Sequence, residues 1–276
     1  MPVYSRRTLR QRLSTEILRD TIVSTTSGSS GITTGSYIIL DSSKADPTAS
    51  GEQLYFRHWL RLLGSAGRIQ DVRVGSFNTG IGAFAGAVVL ATTVFSGMPY
   101  EVHGALDPAE KDAVLDAVIR EVRIQEEQPL WSVKDMTIYS LGPEVLDVID
   151  VRYYADPAGS LNRDEGRLTW FGLAKTATGQ ELRISEALPA SYQLIYDAIV
   201  TVSLGAGDLA TVNLDSDNLV IWGAAARCYW MLEQQAPGQE AGKYKERRAE
   251  AARKYSVLSA RFQPKIVRKI QLDEYY

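Results

Sequence analysis

The side chains able to do soft or metal chemistry are few: one cysteine, Cys228, and two histidines, His58 and His103. A zinc site takes about four Cys, His or carboxylate ligands, so a Cys/His centre within one chain is excluded by counting. A Cys–His nucleophile pair would need Cys228 beside one of the histidines, and nothing in the spacing brings them together. Cys228 falls in an apolar helical pattern, where a buried free thiol is the ordinary state. A Ser–His–Asp arrangement is assembled in space, so spacing leaves it open. The G-x-S-x-G elbow is absent: Gly28-Ser29-Ser30-Gly31 and Gly64-Ser65-Ala66-Gly67 only approach it. Glycoside hydrolysis needs two carboxylates across a cleft, and 33 acidic residues make that requirement unselective. Glu126-Glu127, Asp164-Glu165, Asp215 and Asp217 read equally well as capping or solvated groups. The glycines of 75–86 lack the spacing and the lysine of a phosphate-binding loop. The expectation is a protein with no catalytic, metal or cofactor site.

Charge points to surfaces instead. Formal net charge is -3, which gives no overall attraction to nucleic acid or to acidic lipid. From Lys243 to Tyr276, however, ten Lys or Arg stand against four Asp or Glu, about +6. Such asymmetry suits docking between opposite surfaces or a solvated helix face followed by a loose tail. A second basic cluster, Arg6, Arg7, Arg10 and Arg12, surrounds a short helix expected over 8–18. It reads as a solvated face, or as a contact with an acidic partner or DNA. No secretory signal is expected in the charged first twenty residues. The apolar stretch near 81–95 is too short and too interrupted to span a bilayer.

The elements that would position these surfaces follow from periodicity and punctuation. Residues 21–35 are Ser/Thr/Gly-rich and read as a loop; 37–40 is a strand candidate, and 55–63 stays ambiguous. Residues 68–74 alternate and 88–95 are rich in Val, Thr and Phe, as strands are. The glycines between them suggest a hairpin or an extended arm. Asp107, Pro108 and Glu110 form a capping box with proline at the first helical position. The helix behind it is expected to run to about Gln125, with Lys111, Asp112 and Asp116 facing mostly outward. Short strands follow at 145–154, 168–173, 181–184 and 195–202, separated by turn signals. A helix capped by Asp215 or Asp217 should run to about Gln234 and stop at Pro237-Gly238. A second should span 240–260, packed antiparallel on the first. Lys265–Tyr276 is then basic and partly apolar, and is expected to add to a neighbour as a strand or inserted peptide.

These elements predict an α+β fold. A helical core (N-terminal helix, central helix and C-terminal helix pair) carries large antiparallel β insertions and an extended C-terminal tail. The expected organisation is a discontinuous core of 1–20, 107–130 and 215–262, with a β-rich insertion over 21–106 bearing a Gly-rich arm. A sandwich-like insertion covers 131–214, and the tail is 263–276.

Leu219-Val-Ile-Trp-Gly-Ala-Ala-Ala-Arg-Cys-Tyr, the Pro237-Gly238 stop and Lys243-Tyr-Lys-Glu-Arg-Arg-Ala-Glu-Ala-Ala-Arg-Lys-Tyr resemble the closing helices of tailed-phage head-to-tail connector, or adaptor, proteins. The capped helix at Asp107 fits the same layout. The resemblance covers about a third of the chain, in arrangement and composition, and no single motif in it is diagnostic. It implies a non-enzymatic ring, commonly twelvefold, in the virion neck, made in the host cytoplasm. Such a ring lies between the portal and the tail or next neck protein, around passing DNA that it meets non-specifically, with no membrane partner. It places Lys265, Ile266, Val267, Arg268, Lys269, Ile270, Tyr275 and Tyr276 at the portal or a neighbouring subunit. It places Tyr244, Arg247, Arg248 and Tyr255 between subunits or along the portal. Arg6, Arg7, Arg10 and Arg12 would meet acidic partner groups or DNA phosphates. The bulk of 21–106 and 131–214 departs from smaller members of the family. That leaves open another virion component, such as a tail terminator or tube protein. A carbohydrate-binding module presenting Trp131, Trp170 and Tyr153-Tyr154 also stays open.

Overall fold

The computed structural model describes residues 2–18, 21–24, 39–40, 55, 58–63, 69–80, 82–86, 98–104, 106–154, 165–168, 170–176, 179–185, 187–188, 192–205 and 207–264. In chain order it contains β1 (Val3–Ser5), α1 (Arg6–Arg12) continuing into a π-helical stretch (Leu13–Leu18), β2 (Thr21–Ser24) and β3 (Ile39–Leu40). There follow β4 (Trp59–Leu63), β5 (Ile69–Asn78), β6 (Ala83–Gly86), β7 (Tyr100–His103) and α2 (Pro108–Ile119). The strands β8 (Arg123–Trp131), β9 (Ile138–Leu141), β10 (Val145–Tyr154), β11 (Glu165–Arg167), β12 (Phe171–Lys175), β13 (Gln180–Ile184) and β14 (Gln193–Thr201) come next. β15 (Thr211–Asn213), α3 (Asp217–Gln235) and α4 (Gly238–Phe262) close the described chain. The expected α+β class is observed, with an N-terminal helix, a central helix, two C-terminal helices and antiparallel sheets. The strand expected over 88–95 and the tail from Lys265 lie outside the described residues.

The described residues divide into two compact units, one within 1–119 and 203–261 and the other within 120–202. The β region of 21–106 therefore shares one unit with all four helices.

In the first unit an antiparallel six-stranded sheet has the order β2-β7-β4-β5-β6-β3. Alternation along its strands makes two unlike faces. Leu60, Leu62, Val72, Val74, Tyr100 and Val102 join Tyr55, Phe77, Phe84 and Met98 in one buried cluster. Tyr55, Phe77 and Phe84 have ring centroids 4.6 to 5.2 Å apart, the spacing at which aromatic pairs add to plain burial. Gly80 and Gly82 lie in the hairpin turn between β5 and β6, with Gly82 at φ 67°. The opposite face carries Arg61, Asp71, Glu101 and His103.

The helices explain themselves locally. Ser5 caps α1, its hydroxyl accepting from the Thr8 amide at 3.1 Å. The capping box on α2 forms as its residues foretell: Asp107 accepts from the Ala109 amide at 2.8 Å, and Glu110 accepts from the Asp107 amide at 3.2 Å. α2 stops at Ile119, earlier than expected, and 123–131 is a strand. Pro129 sits in that strand because β8 ends its sheet, where a missing N–H is tolerated on the outer side. The N-cap of α3 is Ser216, without a side-chain bond; Asp217 is instead in the first turn, paired with Arg12. α3 and α4 run antiparallel, with Tyr229 stacked on Tyr244 and Arg248 ion-paired with Glu233 at 3.0 Å.

The second unit holds two antiparallel sheets, β11-β10-β14-β8 and β12-β13-β9. Leu194, Tyr196, Ala198 and Val200 of β14 are buried on one face. On the other face Arg152 bonds both Glu127, at 2.5 Å, and Asp197, at 3.1 Å, and Arg167 bonds Asp150. Trp131 and Trp170 remain 53% and 73% exposed.

Gly223 marks a close approach among the helices. A Cβ there would stand 2.8 Å from Val118 of α2 and 2.9 Å from Tyr255 of α4. Gly223→Leu is expected to lower stability by about 1–3 kcal/mol, outweighing the gain in helix propensity. Thermal melts followed by circular dichroism check this; an unchanged or raised melting temperature would refute the close packing.

Candidate functional site

The densest concentration of functional side chains lies where the charged face of the six-stranded sheet meets α1 and α2. β4 and β7 each carry isolated charged residues among apolar ones, Trp59-Leu-Arg-Leu-Leu and Tyr100-Glu-Val-His. Register places Arg61 directly opposite Asp71 on β5 and Glu101 on β7. Helical spacing on α2 brings Lys111, Asp112 and Asp116 over this region, and α1 supplies Arg6, Arg7 and Arg10.

Arg10 is the centre. Its Nε and Nη2 donate to the two oxygens of Glu101 at 2.9 and 3.1 Å, and its Nη1 donates to Asp112 at 2.8 Å. Asp208 Oδ1 lies 2.6 Å from the same Nη1, as an ion pair without a well-directed hydrogen bond. Arg61 holds Asp71 with two bonds of 2.7 Å and also bonds Asp112, which thus bridges two guanidinium groups. Arg6 clamps Asp116 and donates to the Gly207 carbonyl, and Arg7 bonds Asp208 at 2.6 Å. Backbone bonds from Arg6 to Ala210 and from Arg7 to Asp208 hold the same turn. The cations Arg6, Arg7, Arg10, Arg61 and Lys111 therefore meet as many carboxylates: Asp71, Glu101, Asp112, Asp116 and Asp208. Arg10, Glu101, His103 and Lys111 are each 0% exposed. Only a balanced, hydrogen-bonded set of charges is tolerable at that depth.

A second chain of contacts runs through the cluster. Lys111 Nζ donates to Ser14 Oγ at 3.1 Å and approaches His103 Nδ1 at 3.2 Å, and His103 Nε2 lies 2.9 Å from Glu101. An ammonium only donates, so these partners assign Nδ1 as the acceptor and put the imidazole proton on Nε2. Hydroxyl, ammonium, imidazole and carboxylate in sequence are the parts of a proton relay. Ser14, at its end, is also 0% exposed, so the relay is closed to solvent and acts as a bonded seam between the π-helical stretch, α2 and β7.

The electrostatics follow from burial against pairing. Burial pushes the His103 pKa below its usual value, and the neighbouring Lys111 charge adds to that, against the hydrogen bond to Glu101. Burial alone would raise Glu101, but the His103 bond and the Arg10 guanidinium hold it far below the ordinary carboxylate range. Burial opposes the charge on Arg10, yet Glu101 and Asp112 raise its pKa.

Arg6, Arg7, Arg10 and Arg12 were expected on a solvated face or against a partner; the acidic partner is this chain itself. Arg12 pairs with Glu16 and Asp217. Lys111, expected to face outward, is sealed inside, and Asp112 and Asp116 face arginines. Of the α4 residues assigned to a partner surface, Tyr244, Arg248 and Tyr255 lie against α3, because spacings of four and seven put them on one stripe with the buried Ala251. Arg247 is exposed. Lys265, Ile266, Val267, Arg268, Lys269, Ile270, Tyr275 and Tyr276 lie outside the described residues. Glu101, His103, Asp208 and Arg61 were not singled out as a group; for Arg61, Glu101 and His103 the signal was charge inside an apolar strand, and Asp208, in a turn, had none. Cys228 is a buried free thiol on α3.

Among the described residues no group of three or more His, Cys, Asp or Glu is placed to hold a metal ion, and no helix is long and apolar enough to cross a membrane. No family model matches the chain, and no curated protein matches it.

Removing one partner from the Arg10–Glu101 pair leaves a buried charge alone. Arg10→Met or Glu101→Gln is expected to cost about 3–5 kcal/mol in denaturant unfolding; a loss below about 1 kcal/mol would show the pair to be open to water. The acid response has a definite sign. A histidine whose folded pKa is lowered takes up its proton first in the unfolded chain, so its stability contribution is complete above about pH 6.5 and falls as pH drops below it. Glu101, also lowered, keeps its contribution above about pH 4.5 and loses it below. Unfolding free energy should therefore start to fall near pH 6.5 and steepen below pH 4.5. His103→Gln should flatten the upper stage only; an identical pH profile in that variant would contradict the assignment.

Proposed function

We propose that this chain is a non-catalytic structural subunit of a tailed-phage neck. In this reading it forms a ring, of about twelve copies by analogy with connector proteins, which links the portal to the tail or next neck protein around the DNA channel. The observation that carries the reading is α4. It is 25 residues long, yet Ala251 is its single buried residue. Such a helix extends about 37 Å, and a helix this polar on three sides gains little from its own fold. Its free side presents Val257, 64% exposed, with Ala249 and Ala260 among Lys243, Glu246, Glu250 and Arg253. Short apolar residues edged by both signs of charge suit lateral packing of one copy on the next, through a heterologous contact that closes into a ring. The segment Lys265–Tyr276 supplies an arm for the portal or a neighbouring copy. The ionic network is the rigid base that such an assembly requires, since a sealed, charge-balanced seam fixes α1, α2 and the sheet together.

The exposure of Trp131 and Trp170 favours a second reading, a monomeric glycan-binding module, because exposed indoles stack on sugar faces. Native mass measurement separates the two. The neck reading expects closed rings, alone or on a candidate portal, and expects Val257→Asp to weaken assembly by roughly tenfold, about 1.4 kcal/mol, with unchanged circular dichroism. A monomer that neither assembles nor binds portal, but whose tryptophan fluorescence responds to oligosaccharide, would replace it with the glycan reading.

A further inference from the structure

We propose that Lys265–Tyr276 of one copy docks along the outer edge of β8 in the neighbouring copy, adding a strand to its four-stranded sheet. This rests on the ring reading and names one of its joints.

Three observations converge on that edge. The first is backbone. β8 is nine residues long and ends the sheet order β11-β10-β14-β8. Among the described residues no strand pairs with its far side, so alternate N–H and C=O groups there have no ladder partner. A strand rises about 3.3 Å per residue, so β8 offers about 30 Å of edge. The twelve residues beyond the described chain span at most about 40 Å when extended, enough to cover it.

The second is charge. Glu126 and Glu127 are both exposed in the middle of β8, and Glu127 is already bonded to Arg152 of its own chain. Glu126 discourages one β8 edge from pairing with the β8 of another copy, since like charges oppose it. The same acid favours a cationic strand. The segment carries Lys265, Arg268 and Lys269 ahead of its two acids, Asp273 and Glu274. The edge thus selects against itself and for this segment.

The third is apolar surface. β8 ends at Trp131, 53% exposed, and Val133 beyond it is 54% exposed. The segment interleaves Ile266, Val267, Ile270 and Leu272 with its cations. In an extended chain, residues two apart share a face, so Ile266, Arg268, Ile270 and Leu272 would align on one side. An apolar and cationic strand matches an edge that is acidic in the middle and aromatic at its end. Tail and edge are different surfaces of the same chain, so their union is heterologous and propagates from copy to copy until the ring closes.

The test uses the full chain. Glu126→Lys with Glu127→Gln should reduce ring yield by native mass about as much as removing residues 265–276, at least tenfold, with the melting temperature held. Arg268→Glu with Lys269→Glu should do the same, and combining the two sets should restore rings. Separately, a Gln125→Cys protein mixed with an Ile270→Cys protein should give two-chain species with a short bis-maleimide; the native thiol, Cys228, is buried. Rings that survive truncation, or truncation that abolishes rings while charge reversal on β8 does nothing, would overturn the joint and leave the ring reading standing. Cross-linking confined within one chain, in a protein carrying both cysteines, would overturn it as well. Monomers in every form, the unaltered protein included, would remove the ring reading and this joint with it.

Discussion

The first unit depends on neutralising the charged face of its six-stranded sheet. Arg61, Asp71, Glu101 and His103 alternate with core residues, so they must all emerge on the side opposite the aromatic cluster. In a one-sided sheet that face would meet water. Here α1 and α2 cover it, and the cover is possible only because α1 brings arginines and α2 brings aspartates at the matching positions. Arg10 is bound to Glu101 and Asp112 and ion-paired with Asp208, which ties one helix, one strand, a second helix and a distant turn to a single guanidinium.

That constraint accounts for how a seven-residue helix holds its place. An isolated helix shorter than about 12 residues is marginal in water. α1 is held by Leu9 and Leu13, both buried, by its ionic contacts, and by β1 pairing with β15. Where it passes into the π-helical stretch, the Tyr229 hydroxyl of α3 donates to the Ile17 carbonyl at 2.9 Å. The ion pairs contribute specificity as much as energy, since an apolar seam of equal volume would bind with less directional constraint. Residues far apart in the chain meet here: 2–18 and 207–235 build one surface that neither forms alone.

The second unit solves a different problem. Its strands bury alternate residues, as along β14, and the opposite face carries an ordinary ladder of ion pairs worth little each. Its distinctive features are at margins, the acidic edge of β8 and the exposed Trp131 and Trp170. One unit therefore holds its densest ion-pair network inside, and the other carries its ion pairs on an exposed face.

The sequence by itself determined the α+β class, the capped central helix, the C-terminal helix pair and the strands β10, β13 and β14. Those features rest on local rules: capping geometry, period-2 alternation, and Pro and Gly punctuation act within a few residues. It also located the basic N-terminal cluster. The ionic network was decided only by tertiary structure. A charged residue in an alternating strand looks the same whether its face meets solvent or a helix, and Lys111 on α2 looks like any surface lysine. What distinguishes them is which element lies over which face. The end of α2 at Ile119 was likewise not local, because residues 123–131 leave the helix to pair with β14, and a propensity for helix yields there to the hydrogen bonds of a sheet.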